Sequence, residues 1–188
     1  MKQMKMIGQL PAALEVCGRL YPIRSDYRAA LIIFQAYSDP ELTNKEKAMA
    51  CIECLYKEPI PAEHLTEALK AAIWYLDGGD METRDMHVQV LDWEQDEKMI
   101  FSAVNKVAGH EVRTDDHMHW WTFLGYLSEI GEGLLSEIMH IRWKRGRGKQ
   151  LDKSEREFYR ENSNIIHIKQ RLSAEQQAEN DYVDSLFD

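Results

Sequence analysis

The fold is decided by Asp115-Asp116-His117-Met118-His119-Trp120-Trp121-Thr122-Phe123-Leu124-Gly125-Tyr126-Leu127, a stretch that joins an acidic start to four aromatic residues. Negative charge is stabilising at the beginning of a helix, so the acidic pair predicts a helix that opens at Asp115. The stretch also predicts that this helix anchors the core, because its apolar residues recur at the spacing that stacks side chains on one helical face. The residues of this inner face are Trp120, Phe123, Leu124 and Leu127.

The two adjacent tryptophans point about 100° apart on such a helix. Trp120 continues the inner face, which leaves Trp121 to meet either a second helix or a partner protein. A core position is the more common outcome for a tryptophan, because burial of its large ring is favourable. The functional alternative places Trp121 and Tyr126 on one outer face, where they would form a groove for an amphipathic helix.

Composition and charge limit the class of protein. The chain has 188 residues, and its 44% of hydrophobic residues can supply one buried core. Its 23 basic and 32 acidic residues give a net charge of -9, which argues against a generic polyanion binder unless the basic residues cluster, and we expect no specific nucleic-acid partner. Three cysteines without a signal peptide indicate a reducing compartment, and no apolar run is long enough to span a membrane. We therefore expect a cytoplasmic protein with no membrane partner.

Capping residues and apolar periods predict a mainly α fold. We expect a single helical domain of about seven or eight helices over residues 1–172, with a small β-hairpin at about residues 14–23 that turns at Gly18. Residues 173–188 are expected to form an acidic, loosely ordered tail. Helix starts are predicted at Ser25, at Thr43 with Glu46, at Asp92 with Gln95, at Asp152 with Glu155, and at Ser173.

The residues that could hold a metal are Cys51 and Cys54 together with His117 and His119, since thiolates and imidazoles are the usual zinc ligands. Their spacing argues against a shared site. Cys51 lies on the apolar stripe of a predicted helix, and the two histidines would diverge by about 200° on another. No signature places a nucleophile, a histidine and an acid together either. We expect no metal, no cofactor and no enzymatic activity.

One basic cluster interrupts this acidic chain: Lys144-Arg145-Gly146-Arg147-Gly148-Lys149, which we expect to be a flexible turn. It contains Gly-x-Gly-Lys but lacks the spacing and the preceding strand of a phosphate-binding loop. A solvated loop is the simpler interpretation. Salt-sensitive contact with an acidic segment of a partner is the functional alternative.

Five pieces of sequence occur in a recognisable order over residues 14–172. They are Tyr21-Pro22-Ile23 with Asp26-Tyr27-Arg28, Lys57-Glu58-Pro59, Asp92-Trp93-Glu94-Gln95-Asp96, His119-Trp120-Trp121 with Phe123, and Glu155-Arg156 with Phe158-Tyr159-Arg160. In this series the chain resembles the bacteriophage gene-product-fifteen family of tailed phages. The Gly-Arg-Gly-Lys turn and the acidic tail depart from that pattern.

The resemblance implies a phage or prophage protein encoded near the tape measure gene and commonly regarded as a tail assembly chaperone. Its expected partners are the tape measure protein and other tail assembly proteins in the host bacterial cytoplasm, and a homo-oligomer is a further candidate. A structural component of the tail or neck is the alternative, and a metal-dependent enzyme ranks a distant third. The candidate partner-binding residues are Trp120, Trp121, Phe123, Tyr126, Lys144, Arg145 and Arg147.

Overall fold

The computed structural model describes residues 8–80 and 88–184, which are mainly helical. A two-stranded antiparallel hairpin and nine helices occur within these residues, so the predicted fold class is confirmed. There are more helices than expected because α8 is a separate short turn after α7 and the tail forms α9. The elements are β1 (Ala13–Val16), β2 (Arg19–Pro22), α1 (Tyr27–Ser38), α2 (Asn44–Leu55), α3 (Leu65–Leu76), α4 (Glu97–Ala108), α5 (Trp120–Ser128), α6 (Leu134–Gly146), α7 (Lys153–Glu161), α8 (Ser163–Ile166) and α9 (Ala174–Asp184).

The hairpin forms as predicted because its two turn residues adopt left-handed backbone angles. Cys17 has φ 50° and Gly18 has φ 80°, values typical of a type I′ turn, whose twist matches that of the flanking strands. Where β2 ends, the Pro22 carbonyl accepts a hydrogen bond from the Lys57 amide at 3.0 Å. The buried residues of the hairpin and its exit are Leu14, Val16, Tyr21 and Ile23.

Two predicted helix starts carry reciprocal capping boxes. At α2, the Thr43 hydroxyl accepts from the Glu46 amide while the Glu46 carboxylate accepts from the Thr43 amide at 2.8 Å. Asp152 and Glu155 make the same pair of hydrogen bonds at α7. Such starts can be read from the sequence because both partners lie within one helical turn.

The first helix is capped by Asp26 and not by the predicted Ser25. The Asp26 carboxylate accepts from the Arg28 amide and from the Met118 amide, both at 3.0 Å. The Ser25 hydroxyl instead lies 3.2 Å from His117 Nε2. Contact with a residue 92 positions away therefore selects the cap, and the local pattern does not contain that information.

The predicted start of the tryptophan helix at Asp115 is wrong, because α5 begins at Trp120. His119 caps it, since Nδ1 of its ring accepts from the Trp121 amide at 3.0 Å. The preceding residues are held outside the helix by tertiary contacts, among them the Arg28 guanidinium, which donates to the Asp115 carbonyl at 2.8 Å.

The predicted helix start at Asp92 and Gln95 is wrong, although the Asp92 side chain does close a turn there. The Asp92 carboxylate accepts from the amides two and three positions later, yet α4 begins only at Glu97. Asp96 occupies the N-cap position of α4 without making a side-chain cap. Its carboxylate binds Arg142 of α6 instead.

The basic turn is partly helical rather than flexible throughout. α6 continues through Gly146, and the following turn is closed by the Lys149 amide, which donates to the Lys144 carbonyl at 2.8 Å. A Cβ at Gly146 would collide with the side chain of Val88, so glycine is required at this close approach.

Aromatic side chains fill the core around α5. Trp120 stacks on Phe123 with ring centroids 5.8 Å apart, and Phe123 stacks on Tyr27 of α1 at 4.7 Å. Phe101 of α4 meets Phe123 edge-on at 5.8 Å. Trp120 Nε1 donates to the Leu76 carbonyl at 2.9 Å, so its polar atom is satisfied although the residue is fully buried. The inward position predicted for Trp120 is confirmed.

A buried ion pair connects α6 to two other parts of the chain. The side chains of Arg142 and Asp96 are 4% and 0% exposed, and Arg142 Nη2 donates to Asp96 Oδ1 at 3.0 Å. Arg142 also donates to the carbonyls of Val90, Ile165 and Ile166 at distances of 3.1, 2.8 and 2.7 Å. The guanidinium thus fixes the approach to α4 and the segment around α8 against one helix.

The acidic tail contains a helix. Ser173 caps α9 as predicted, because its hydroxyl accepts from the Gln176 amide at 3.2 Å. The Ala174 amide donates to the Glu41 carboxylate, which places the start of α9 beside the connection between α1 and α2. The loose order expected for residues 173–188 stays a prediction, and residues 185–188 lie outside the described residues.

We expect Arg142→Leu to lower the free energy of unfolding by about 3–5 kcal/mol, because it leaves the Asp96 carboxylate buried without its counter-charge. The control is Arg160→Leu, which removes an exposed pair with Glu157 at 3.9 Å and should cost less than about 1 kcal/mol. Urea denaturation followed by circular dichroism measures both. Equal decreases in the free energy of unfolding would show that the buried pair stabilises the fold no more than the exposed pair does.

Candidate functional site

The aromatic residues predicted to bind a partner belong largely to the scaffold. Trp120 and Phe123 are fully buried, so they support the surface without forming part of it. Trp121 is half-buried against α3: its Nε1 donates to the Tyr75 carbonyl at 2.8 Å, and its ring stacks on Tyr75 with centroids 5.9 Å apart. Of the two positions considered for Trp121, the structure places it against a second helix. Tyr126 is also half-buried and packs on the main core, so the two rings do not form the outer groove considered above.

The basic residues predicted to bind a partner lie at the C-terminal end of α6. Lys144 forms an ion pair with the buried carboxylate of Glu155. This contact is the main reason that the pKa of Glu155 lies below its usual value. Arg145 and Arg147 are exposed, and Arg145 lies over the Tyr159 ring at 4.4 Å. These residues are separated by the length of α6 from the surface described next.

An open groove lies between α4 and the beginning of α6, with a volume of about 490 Å³. Half-buried residues of α4 that recur every four positions line one wall, namely Met99, Ala103 and Val107. Ile130, Leu134 and Leu135 line the other wall. We call this cavity the α4–α6 groove.

Leu134 is the first residue of α6 and forms the edge of the groove. Leu134 is 48% exposed, whereas Leu135 is buried with Ile138 and Ile141. The helix begins at Leu134 after an extended Gly133, and its buried face starts at Leu135. The sequence contained the signal for the groove, because Met99, Ala103 and Val107 keep a helical period, but periodicity alone does not distinguish a groove wall from a core contact.

The rim of the groove carries charges of both signs. Lys98 and Lys106 lie on the α4 side, and Glu129 and Glu132 lie on the loop before α6. Lys106 donates to the Glu132 carbonyl at 3.3 Å. A groove with apolar walls and opposite charges on its two sides can bind an amphipathic helix in one orientation.

A second cavity of about 590 Å³ lies beside α1 and the end of α2. Arg24 shapes it by donating to the carbonyls of Glu53 and Cys54 at 2.9 and 3.3 Å. Its lining is more mixed in charge, with Arg28 and Lys57 near Asp26 and Glu53. Half of its lining residues are charged, a larger share than in the groove.

Within the described residues, no group of three or more histidine, cysteine or acidic side chains could hold a metal ion. Cys51 is buried, and burial is the main cause of the raised pKa of its thiol. None of the helices that the structure describes is long and apolar enough to span a membrane.

The sequence profile of the Bacteriophage Gp15 protein family matches residues 6–168. The chain belongs to this family. The match confirms the family resemblance derived from five pieces of sequence and identifies a bacteriophage protein. α9 lies outside the matched region of this Gp15 family chain. No curated protein and no solved structure matches the chain.

His119 connects the central helix of this Gp15 family protein to its N-terminal segment. Its Nε2 lies 3.0 Å from the Pro11 carbonyl oxygen, while Nδ1 accepts from the Trp121 amide. These contacts fit a neutral ring that carries its proton on Nε2. Burial lowers the pKa of His119, although the Pro11 carbonyl opposes the shift, and the neighbouring His117 lowers it further. Protonation of Nδ1 would remove the cap of α5.

We expect His119→Asn to lose less stability on acidification than the unaltered protein, because asparagine keeps a capping acceptor and does not titrate. A base with a lowered pKa binds fewer protons in the folded state than in the unfolded state. Its stabilising contribution is therefore complete above the unfolded pKa of about 6.5 and is lost as the pH falls through that value. Urea unfolding of both proteins between about pH 7.5 and pH 5 measures the effect. Parallel losses in the two proteins would contradict it.

Proposed function

We propose that this Gp15 family protein is a tail assembly chaperone that keeps the tape measure protein soluble and binds it in the α4–α6 groove. The observation that carries the proposal is the groove itself, which combines apolar walls, a volume of about 490 Å³ and a rim with charges of both signs. Amphipathic helices bind such grooves with apolar side chains three or four positions apart. Membership of a phage protein family supports a partner made during phage assembly.

The proposed partner explains why an open groove is useful. A tape measure protein is a long helical chain with apolar stripes, and such stripes aggregate when they are exposed. The chaperone has to cover them in the host cytoplasm and release them as tail tube subunits add. Leu134 at the groove edge is accessible, whereas Leu135 beneath it is part of the core. A partner helix can therefore bind and leave without rearranging the fold. This role requires no enzymatic activity.

The charges on the rim specify the partner helix further. The lysines of α4, Lys98 and Lys106, favour acidic residues along one edge of the bound helix. Glu129 and Glu132 favour basic residues along the opposite edge. A tape measure segment with this arrangement is the expected ligand.

We expect Leu134→Glu to reduce the amount of tape measure protein that co-elutes by about tenfold or more, because the bound helix would then cover an unpaired charge at the apolar edge of the groove. The measurement is co-expression with the tape measure protein of the same phage or prophage, followed by size-exclusion chromatography. The matched control is Ile73→Glu on α3, since Ile73 is 46% exposed and Leu134 is 48% exposed. Circular dichroism should show the same helicity in both variants.

The outcomes distinguish an error in the proposed binding site from an error in the proposed chaperone function. If both variants still hold the tape measure protein in solution, the groove is not its site. If the unaltered chain does not bind it, the chaperone proposal fails. Finding this chain in purified particles would favour the alternative of a structural component of the tail or neck.

A further inference from the structure

The charges of this chain are strongly segregated. Residues 143–160 contain seven basic and three acidic residues, a net charge of +4, so the remainder of a chain with a net charge of -9 carries -13. The structure places these basic residues on the last turn of α6, the following turn and α7. We call the exposed side chains of Arg145, Lys149, Lys153 and Arg156 the basic patch.

Acidic neighbours of the basic patch are engaged in local contacts. Glu155 accepts from Lys144 and from His140, and its other oxygen accepts from the Asp152 amide. Asp152 caps α7. Because these carboxylates serve the helix itself, they leave the cations of the patch available for an external anion.

Two cations of the patch are positioned by aromatic rings. Arg145 lies over Tyr159 at 4.4 Å, and the Lys149 ammonium lies over Trp143 at 4.0 Å. The Trp143 ring also stacks on His140, with centroids 6.3 Å apart. Cation–π contacts hold the charges in place without neutralising them.

These contacts favour a protein ligand over a nucleic acid. Single-stranded nucleic acids bind proteins largely through bases that stack on free aromatic faces. The Trp143 ring has Lys149 on one side and stacks on His140, and the Tyr159 ring is covered by Arg145. A long polyanion would also be repelled by the acidic remainder of the chain. A short acidic peptide segment avoids both problems.

The same chain contains a segment of this kind. Residues 174–188 carry five acidic residues and no basic residue. Glu175 and Glu179 are exposed one turn apart on α9, and neither has an ion-pair partner among the described residues. The start of α9 is fixed at Glu41, on the connection between α1 and α2. The two acidic side chains that the structure describes at the start of the tail, Glu175 and Glu179, are therefore accessible from solvent.

We propose that the basic patch of one copy binds the acidic tail, residues 174–188, of a second copy. The contact is head-to-tail, because two different surfaces meet, so each bound copy leaves one patch and one tail open for further addition. This inference goes beyond the tape measure role and does not depend on the α4–α6 groove.

The experiment is analytical ultracentrifugation of the full chain at about 0.05 M and about 1 M salt, where the Debye lengths are about 14 Å and 3 Å. The unaltered chain should self-associate at low salt and be monomeric at high salt. A patch-reversed chain with Lys149→Glu and Lys153→Glu should associate about tenfold more weakly. A control chain with Lys45→Glu and Lys169→Glu has the same net charge and should associate like the unaltered chain, since both lysines are exposed outside the patch.

A mixing test distinguishes binding of the patch of one copy to the tail of another from a general effect of net charge on association. The tail-neutral chain carries Glu175→Gln, Glu179→Gln, Asp181→Asn, Asp184→Asn and Asp188→Asn. This chain and the patch-reversed chain should each be monomeric alone and form a one-to-one complex when mixed. A monomeric unaltered chain at low salt, or self-association by the tail-neutral chain, would overturn the proposal. So would patch-dependent binding of a short fluorescent oligothymidine without any self-association.

Discussion

The buried contact between Arg142 and Asp96 is the interaction on which the arrangement of α4 and α6 depends. Removing two charges from water is costly unless their hydrogen-bonding groups are satisfied. Here the carboxylate also accepts from the Asp92 amide at 2.9 Å, and the guanidinium donates to three backbone carbonyls. The pair therefore fixes the position of α6 against the beginning of α4. The groove between these helices exists because their separation is set by this contact.

The aromatic core supports the fold, whereas α6 contributes exposed surface at both of its ends. The rings around α5 form a rigid support, which explains why a stretch so rich in tryptophan contributes little exposed surface. α6 carries the two proposed binding surfaces at its ends, with the groove at Leu134 and the basic patch beyond Trp143. A helix of 13 residues is about 20 Å long, so a partner helix and an acidic tail can be bound at the same time.

The sequence was sufficient wherever structure is determined by neighbours along the chain. The two capping boxes, the hairpin turn at Gly18 and the inward position of Trp120 all follow from local spacing. It was insufficient where a distant residue decides the outcome. Asp26 replaces Ser25 as a cap because of Met118, and Asp96 binds Arg142 instead of capping α4.

The candidate site also depends on contacts between residues that are distant in the sequence. The sequence singled out Lys144, Arg145 and Arg147, and the structure adds that Lys144 is engaged by Glu155. The helical period of Met99, Ala103 and Val107 marks one wall of the groove in the sequence, but no local pattern shows that the other wall comes from residues about thirty positions later. Leu134 at the start of α6 is exposed whereas Leu135 is buried, and the apolar pattern of two adjacent leucines does not distinguish these outcomes.

The contacts of His119 and its neighbours with the N-terminal segment have a consequence for synthesis on the ribosome. The Met118 amide binds Asp26 across 92 positions, and His119 contacts Pro11 across 108. At about 5–20 residues per second, the hairpin and α1 are made about 5–20 s before their partners. During that interval Tyr27 lacks the Phe123 ring on which it stacks in the finished fold. A protein proposed to shield apolar helices thus begins as a nascent chain whose own aromatic surface is unshielded until α5 is complete.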